Sequence, residues 1–374
     1  MKTKNKSFVL KGKLLWSLAL VLALGFNSCS NDDDNKEQII NEEISGAYFL
    51  NYGAFGHGGS SITRYDFRKD VNTNNYFQAQ NPGIILNSNI QYGATYKDSV
   101  YLIGNMTDEL ISLDLYFRPG GNAIREGLAN PRYFVGEGDL LYISCWGAKP
   151  DYKTMPDSYI AVYNTKTRKV ERKIDLPGGP EGLALANGKL YAALNYIPKV
   201  AVIDLSTEAI TSIDLPAVST YFVSDADNNL YLAIASYDPG AETGLAYINT
   251  STDELEHNYK LPGVSTTYAS ILAENSNAGT LYLTAASWVE EGTNNWVQKG
   301  AIWSFDTETK EFSEFITGLE GAQGIVVNPV NNDVYILLSP SAVEAGEVAI
   351  YNAKGEHQKD INVGVSPYWA LFLD

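Results

Sequence analysis

The sequence predicts an all-β fold, a seven-bladed propeller with four-stranded blades, and three observations lead to it. An apolar residue or alanine followed by tyrosine recurs seven times, at intervals of 40 to 53 residues. An alternating strand that ends in Asp or Asn follows each tyrosine, and turn residues separate the units. Four short strands in a unit of this length are typical of a propeller blade. The tyrosines are Tyr48, Tyr101, Tyr142, Tyr191, Tyr231, Tyr282 and Tyr335, and the strand-ending residues are Asp66, Asp114, Asn164, Asp204, Asn249, Asp306 and Asn352.

The two ends of the repeat region predict how the ring closes. Residues 367–374 have the pattern of an innermost strand without its followers, whereas residues 46–77 supply outer strands without an innermost one. Pairing the two segments completes one blade and leaves no long apolar strand edge exposed. We therefore expect one propeller domain, residues 46–374, in which the N- and C-terminal strands share a blade.

The N-terminal segment predicts export. Residues 1–28 carry five lysines and no acid, and the lysines precede an apolar run that is shorter than the roughly 18 residues of a membrane-spanning helix. We expect this signal peptide to be removed before Cys29, because small Ser28 precedes a thiol that a diacylglycerol can modify. A free exported cysteine without lipid is the alternative.

The residues behind Cys29 predict where the anchor is sent. Ser30–Asn35 is an acidic, solvated run that cannot form a core, and residues 29–45 are interpreted as a tether. The run resembles the surface-export signal of Bacteroidetes lipoproteins, in which a serine and several acids follow the lipidated cysteine. The resemblance implies an outer-membrane lipoprotein that faces the cell exterior, with a plain spacer as the alternative.

Charge narrows the range of partners. The chain has 27 basic and 44 acidic residues, and loss of the five leader lysines leaves 22 basic residues and a net charge of −22. Such a surface repels nucleic acid and anionic headgroups, so we expect no nucleic-acid partner and membrane contact only through the lipid. Cys145 is left without a cysteine partner, and the fold is expected to depend on packing.

Two sets of segments are expected to meet on one face of the propeller, which we call the top face. They are the segments leading into the innermost strands and the connections between second and third strands, and both are rich in aromatic residues. Aromatic rings offer a bulky ligand large, rigid contact area, although packing between blades is the alternative role for the first set. The candidate binding residues are Gln91, Tyr92, Arg132, Tyr133, Glu181, Tyr221, Tyr268, Gln323, Tyr368 and Trp369 in the first set, and Tyr52, Phe55, His57, Trp146, Tyr196, Tyr237, Trp288 and Trp296 in the second.

Motifs for catalysis are sparse. The sequence has no G-x-S-x-G, H-E-x-x-H or Walker pattern. Propeller hydrolases hold a hard cation with several carboxylates, whereas the innermost candidates include one acid, Glu181, beside Gln91 and Gln323, which is too few for a divalent cation. We expect a noncatalytic protein without metal or cofactor, and a propeller lyase or lactonase is the alternative.

The segment FLNYGAFGHGGSSITRYD, residues 49–66, resembles the first blade of Bacteroidetes surface propellers of the YncE-like type. That family usually has Asn-Glu-Gly, an aromatic residue and Gly before a strand ending in Tyr-Asp, and Tyr52 here replaces the glutamate. Some members, the BtuG type, are lipoproteins that capture corrinoids. The resemblance implies capture of vitamin B12 for hand-off to a TonB-dependent outer-membrane transporter. A glycan-binding propeller and a protein-docking scaffold are the other hypotheses.

Overall fold

The computed structural model describes residues 43–373 except 56, 236–242, 262–271, 276–278, 291–292, 294–295 and 320, and it does not describe the side chains of 286–290 and 296–299. The expected signal peptide, Cys29 and the tether as far as residue 42 lie outside the described residues. Within the described ranges, no helix is long and apolar enough to cross a membrane.

Strands β1 to β27, numbered along the chain, form seven antiparallel sheets in the described part. The innermost strands are β4 (Ile90–Tyr96), β7 (Pro131–Glu137), β11 (Pro180–Ala186), β15 (Val218–Ser224), β19 (Leu272–Asn275), β23 (Ala322–Val327) and β27 (Pro367–Leu373). The second strands are β1 (Gly46–Asn51), β5 (Ser99–Gly104), β8 (Leu140–Cys145), β12 (Lys189–Leu194), β16 (Leu230–Ala235), β20 (Thr280–Glu290) and β24 (Val334–Leu338).

The remaining strands form the outer half of each blade. The third strands are β2 (Ser61–Asp66), β6 (Glu109–Leu113), β9 (Tyr159–Asn164), β13 (Lys199–Asp204), β17 (Gly244–Asn249), β21 (Trp296–Asp306) and β25 (Ala345–Tyr351). The outermost strands are β3 (Val71–Thr73), β10 (Lys169–Asp175), β14 (Ile210–Asp214), β18 (Glu254–Lys260), β22 (Phe312–Thr317) and β26 (His357–Val365). The predicted seven-bladed propeller is confirmed.

The sequence repeat corresponds to one position in each blade. All seven recurring tyrosines lie on second strands and are buried, from 0% exposed at Tyr48 to 6% at Tyr101. Their rings fill the space between neighbouring blades, while hydroxyls reach polar partners, as Tyr191 does at Asp253 Oδ1, 2.5 Å away. A buried tyrosine needs such a partner, because an unpaired hydroxyl would lose its hydrogen bonds to water.

The strand-ending Asp and Asn residues build the turn that leads to the outermost strand. Asp204 Oδ1 accepts the backbone N–H groups two and three residues on, at 3.0 and 2.8 Å. Asn164 Oδ1 accepts the equivalent groups at 2.9 and 3.2 Å. Either side chain can therefore close this turn, which explains why Asp and Asn interchange between blades. The Asp225 segment likewise forms a turn, the hairpin between β15 and β16, in which Asp225 Oδ1 accepts two backbone N–H groups.

Ring closure occurs as predicted. One sheet has the order β27-β1-β2-β3, so the last strand of the chain is the innermost strand of the first blade. Gly46 pairs with Leu373 at one end of this junction and Asn51 with Pro367 at the other. The junction pairs β1 on both of its edges, and β27 lies at the inner edge of its blade, as the other innermost strands do in theirs.

The blade of β4, β5 and β6 departs from the four-stranded pattern. Its sheet has three strands, and two isolated bridges, Leu110↔Ile124 and Leu113↔Pro119, stand where a fourth strand would pair. The connection before it contains the short helix α1 (Tyr76–Gln80), which the sequence analysis does not predict. Tyr76 at its start packs edge-on against Tyr48, with ring centroids 5.5 Å apart, so the helix covers the first blade.

Candidate functional site

The innermost strands share an irregularity where they begin at the top face. In β4, Ile90 pairs with Gly104 and Tyr92 with Ile103, so Gln91 is an extra residue without a partner across the ladder. The register of β7, β11, β15, β23 and β27 shifts at the equivalent point, while β19 begins directly after residues outside the description. Such bulges turn a side chain away from its normal alternation. The bulges therefore determine which side chains face the channel at its top end.

The bulges bring polar side chains together at the top of the channel, a set that we call the polar ring. It consists of the bulge residues Gln91, Arg132, Glu181, Gln323 and Tyr368. Gln91 Nε2 donates to Glu181 Oε1 at 2.9 Å, although the two residues come from blades that are separated by another blade. The contact shows that the side chains of Gln91 and Glu181 point towards each other across the channel.

Glu181 is the centre of the hydrogen bonds in the polar ring. Arg132 donates from Nε to Oε2 at 2.9 Å and from Nη2 to Oε1 at 3.0 Å, which is a bidentate ion pair. The Tyr221 hydroxyl is a further donor to Oε1, at 3.5 Å. Both carboxylate oxygens are thus occupied by donors from neighbouring strands, and the charge of Glu181 is balanced by Arg132.

An aromatic plug of Tyr92, Tyr133, Tyr221 and Trp369 crosses the channel beside the polar ring. The ring centroids of Tyr92 and Tyr133 are 3.8 Å apart, and those of Tyr221 and Trp369 are 5.9 Å apart. Tyr133 also contacts both Tyr221 and Trp369, at 5.7 and 6.4 Å, which joins blades on different sides of the channel. Burial raises the pKa of Tyr92 and of Tyr221 well above the ordinary value of 10.0, so both hydroxyls remain protonated.

The tyrosines at the starts of the innermost strands do not all have the same surroundings. Tyr92 and Tyr133 belong to the plug and Tyr368 is a bulge residue of the polar ring. Tyr221 connects the two sets, because its ring packs on Tyr133 while its hydroxyl donates to Glu181. The packing alternative therefore describes Tyr92 and Tyr221, which are buried against other rings. Gly182 explains the position of Tyr221, because a Cβ at residue 182 would lie 2.9 Å from the Tyr221 Cα.

On one side of the polar ring, three aromatic residues pack edge to face. Trp146 contacts Tyr196 with ring centroids 5.3 Å apart, and Tyr152 contacts Tyr196 at 6.3 Å. Tyr152 is 62% exposed and is presented by a turn in which Asp151 Oδ1 accepts three backbone N–H groups. These hydrogen bonds hold the pKa of Asp151 well below its usual range. Buried Met155 anchors the end of the same turn.

On the other side, Phe55 is 78% exposed and stacks on Tyr52, with centroids 6.4 Å apart. Tyr52 also lies 5.9 Å from the ring of Tyr368, which connects this rim to the polar ring. Asn89 Nδ2 donates to the carbonyl oxygens of Tyr52 and Ala54 at 2.8 and 3.0 Å, which fixes the loop. His57, also a candidate, is exposed in this loop.

Asn105 belongs to the site and was not among the predicted residues. Its Nδ2 donates to Gln91 Oε1 at 2.7 Å, and its Oδ1 accepts the Tyr52 hydroxyl at 3.4 Å. The signal that could have identified it is positional. Asn105 comes one residue after its second strand, as Tyr52 and Trp146 do after theirs.

Four candidate residues cannot be located in this way. Tyr237 and Tyr268 lie outside the described residues, and the side chains of Trp288 and Trp296 on β20 and β21 do too. Among the described residues, no group of three or more His, Cys, Asp or Glu side chains could hold a metal ion. Glu181 is the one carboxylate of the polar ring, and its oxygens already accept hydrogen bonds, so these residues do not fit a divalent cation.

The chain matches the family described as Domain of unknown function (DUF5074) over residues 45–372. It belongs to this family. The DUF5074 match extends from the first strand of the propeller to the last, so the family corresponds to the whole ring rather than to one blade. No curated protein sequence matches the chain.

Several solved structures share the propeller of this DUF5074 protein. A quinonprotein alcohol dehydrogenase-like protein from Bacteroides thetaiotaomicron has a TM-score of 0.64 and 17% identity, over 88% of this chain and 78% of that one. A periplasmic gluconolactonase from Pseudomonas aeruginosa has a TM-score of 0.58 and 12% identity, over 88% and 99%. The extracellular domain of a putative one-component system from B. thetaiotaomicron has a TM-score of 0.53 and 14% identity, over 74% and 33%. Identities this low establish the fold alone.

Proposed function

We propose that this protein is a noncatalytic surface lipoprotein that captures a small extracellular nutrient on its top face, with a corrinoid as the favoured ligand. The observation that carries the proposal is the arrangement of the polar ring beside an aromatic plug, with exposed aromatic rings at two sides. Ligand sites commonly combine apolar and aromatic walls with a few convergent polar groups. The top face offers both.

The state of Glu181 supports binding rather than hydrolysis. A general base must direct a lone pair at the substrate, whereas the carboxylate of Glu181 is directed at Arg132, and a hard cation needs several carboxylate oxygens. Both oxygens of Glu181 accept hydrogen bonds from Arg132, and one also accepts from Gln91. The likeness to a gluconolactonase therefore extends to the propeller, whereas the polar ring lacks the carboxylates that a cation would require.

The chemistry of a corrinoid suits this face. A corrinoid has a broad, flat ring fringed with amides, so it needs aromatic contact area together with donors and acceptors. Asn105, Gln323 and Tyr368 provide amide and hydroxyl groups, and Tyr152 adds an exposed ring. Placement outside the cell rests on the leader, Cys29 and the acidic tether, and hand-off to a TonB-dependent transporter would follow capture.

The test is retention of cyanocobalamin. The purified protein is mixed with the red ligand at micromolar concentration and passed through a desalting column, and colour should elute with the protein. The double variant F55A/Y152A should weaken binding by about tenfold or more, since it removes both exposed rings. V330A is the matched control, because Val330 is exposed but lies in the β23–β24 hairpin on the opposite face. A colourless protein peak would rule out corrinoid capture.

A glycan is the second candidate, and the exposure of Phe55 and Tyr152 favours it. Exposed rings can stack on the apolar face of a sugar without rearrangement of the buried plug. A glycan array with the wild-type protein and F55A/Y152A separates the two ligands. Specific glycan binding without retention of cyanocobalamin would assign the site to sugars.

A further inference from the structure

The polar ring, which we also call the floor of the top face, contains one cation, Arg132, and one anion, Glu181, and their charges neutralise each other. Arg132 Nε lies 2.9 Å from Glu181 Oε2, and the side chains are only 12% and 5% exposed. An ion pair so removed from water persists because each charge has its partner. The other members of the polar ring, Gln91, Gln323 and Tyr368, are uncharged at neutral pH.

Tyr368 experiences the fields of both charged groups. Burial raises its pKa most, Glu181 raises it further, and Arg132 lowers it. A ligand group that approached this hydroxyl would meet the same two opposing fields. The floor therefore offers hydrogen bonds but little net charge.

Arg132 is held by more than Glu181. Its guanidinium carbon lies 3.9 Å from the centroid of the Trp146 ring, which supports the cation from a different element. Glutamine has nearly the shape of glutamate and keeps one acceptor oxygen, which at the Oε1 position serves Arg132 Nη2 and Gln91, while the hydrogen bond from Arg132 Nε is lost. Glu181→Gln should thus retain the geometry while removing the negative charge.

We propose that Glu181 determines the charge class of the ligand: the group that rests on the floor is an uncharged amide or hydroxyl, and carboxylates are excluded. A carboxylate would either compete with Glu181 for Arg132 or remain beside it without a counterion, and both arrangements are unfavourable. An amide can use the donors and acceptors of the polar ring without disturbing the ion pair. This inference rests on the proposed function in one respect, that the top face is the ligand site.

The test uses two probes with one ring system, 2-naphthamide and 2-naphthoate, titrated against the purified protein by ligand-observed NMR. The wild type should bind the amide at least about tenfold more tightly than the carboxylate. Glu181→Gln should move this ratio by about tenfold or more towards the carboxylate, and R132Q/E181Q should abolish the gain. Glu344→Gln is the matched control, because it removes one charge from an exposed top-face loop and should leave the ratio unchanged.

Each outcome decides the matter. Equal binding of the two probes by the wild type, or an unchanged ratio in Glu181→Gln, would overturn the role of Glu181. A shift of equal size in Glu344→Gln would assign the effect to net charge and also overturn it. Thermal unfolding followed by circular dichroism checks that the variants fold. If Glu181→Gln does not fold, the ratio of the wild-type affinities for the amide and the carboxylate probe tests the proposal. Failure to retain cyanocobalamin with the expected probe ratios would reject the corrinoid and leave the charge rule intact.

Discussion

The guanidinium group of Arg132 covers the ring of Trp146, with its carbon 3.9 Å from the ring centroid. The indole N–H donates to the Pro180 carbonyl oxygen at 3.2 Å, so Trp146 also connects the loop after β8 to the start of β11. Trp146 is buried, and one of its surfaces is occupied by a cation. Its role in the folded protein is to support Arg132 rather than to offer an open stacking surface.

Replacing Trp146 should therefore affect stability strongly. W146A should reduce the free energy of unfolding by about 3 to 5 kcal/mol, as is usual for loss of a buried tryptophan. W146F should cost about 1 to 2 kcal/mol, because a ring remains beneath Arg132 while the Pro180 carbonyl loses its donor. Urea denaturation measures both. Equal stability of the two variants would contradict a supporting role for the ring.

Acid stability should depend on the turn at Asp204. Hydrogen bonds from the Ser206 hydroxyl and from Thr207 lower the pKa of Asp204 from 3.8 to about 2. A carboxyl group with a lowered folded-state pKa stabilises the fold above its unfolded pKa, and this contribution disappears as the pH falls through the folded pKa. D204N keeps the turn, as Asn164 does in its own blade. The wild-type advantage over D204N in urea denaturation should shrink between pH 3.8 and about 2.

The reverse substitution is the control for this effect. N164D introduces a carboxylate at the equivalent turn, where Oδ1 already accepts two backbone N–H groups. The variant should gain an acid-dependent contribution of the same sign. If D204N and the wild type showed parallel stability curves throughout this pH range, the hydrogen bonds to Asp204 would not be the cause.

The two cysteines allow a direct test of the lipid anchor. Burial raises the pKa of Cys145 to about 12, so its thiol stays protonated and inaccessible in the folded protein. In cells given an alkynyl fatty acid, C29A should lose the label and leave the membrane fraction, whereas C145A should retain both. Label on C29A would place the lipid elsewhere, and an unlabelled wild type would remove the anchor from the proposal.

The repeat made the blades predictable because it records packing that recurs. Tyr48 and Tyr191 occupy the same position in different blades, and Asp204 and Asn164 close equivalent turns, so residue type and spacing suffice. The three-stranded blade and α1 break this periodicity. Tyr76 joins the core by packing on Tyr48, and this tertiary contact is not predicted by any local sequence pattern.

The site was only partly predictable, because the bulges change which way adjacent residues point. Gln91 and Tyr92 are neighbours in sequence, yet one belongs to the polar ring and the other to the plug. A strand without a bulge would place them on opposite faces by simple alternation. Asn105 has no aromatic or charged character to mark it, so only its position after the second strand could have indicated it, and the structure shows its hydrogen bond to Gln91.

The contact between Tyr133 and Trp369 across the channel affects how a ligand can move through the propeller. We expect these side chains to obstruct the channel, so that a ligand enters and leaves the protein only from the top face. A ligand bound next to the plug would leave through the opening in the top face by which it entered. A second ligand could therefore bind only after the first had left. The time for which the ligand stays bound would then limit its rate of transfer to a transporter. A transporter with faster uptake would not raise this rate unless it reached the ligand through the same opening.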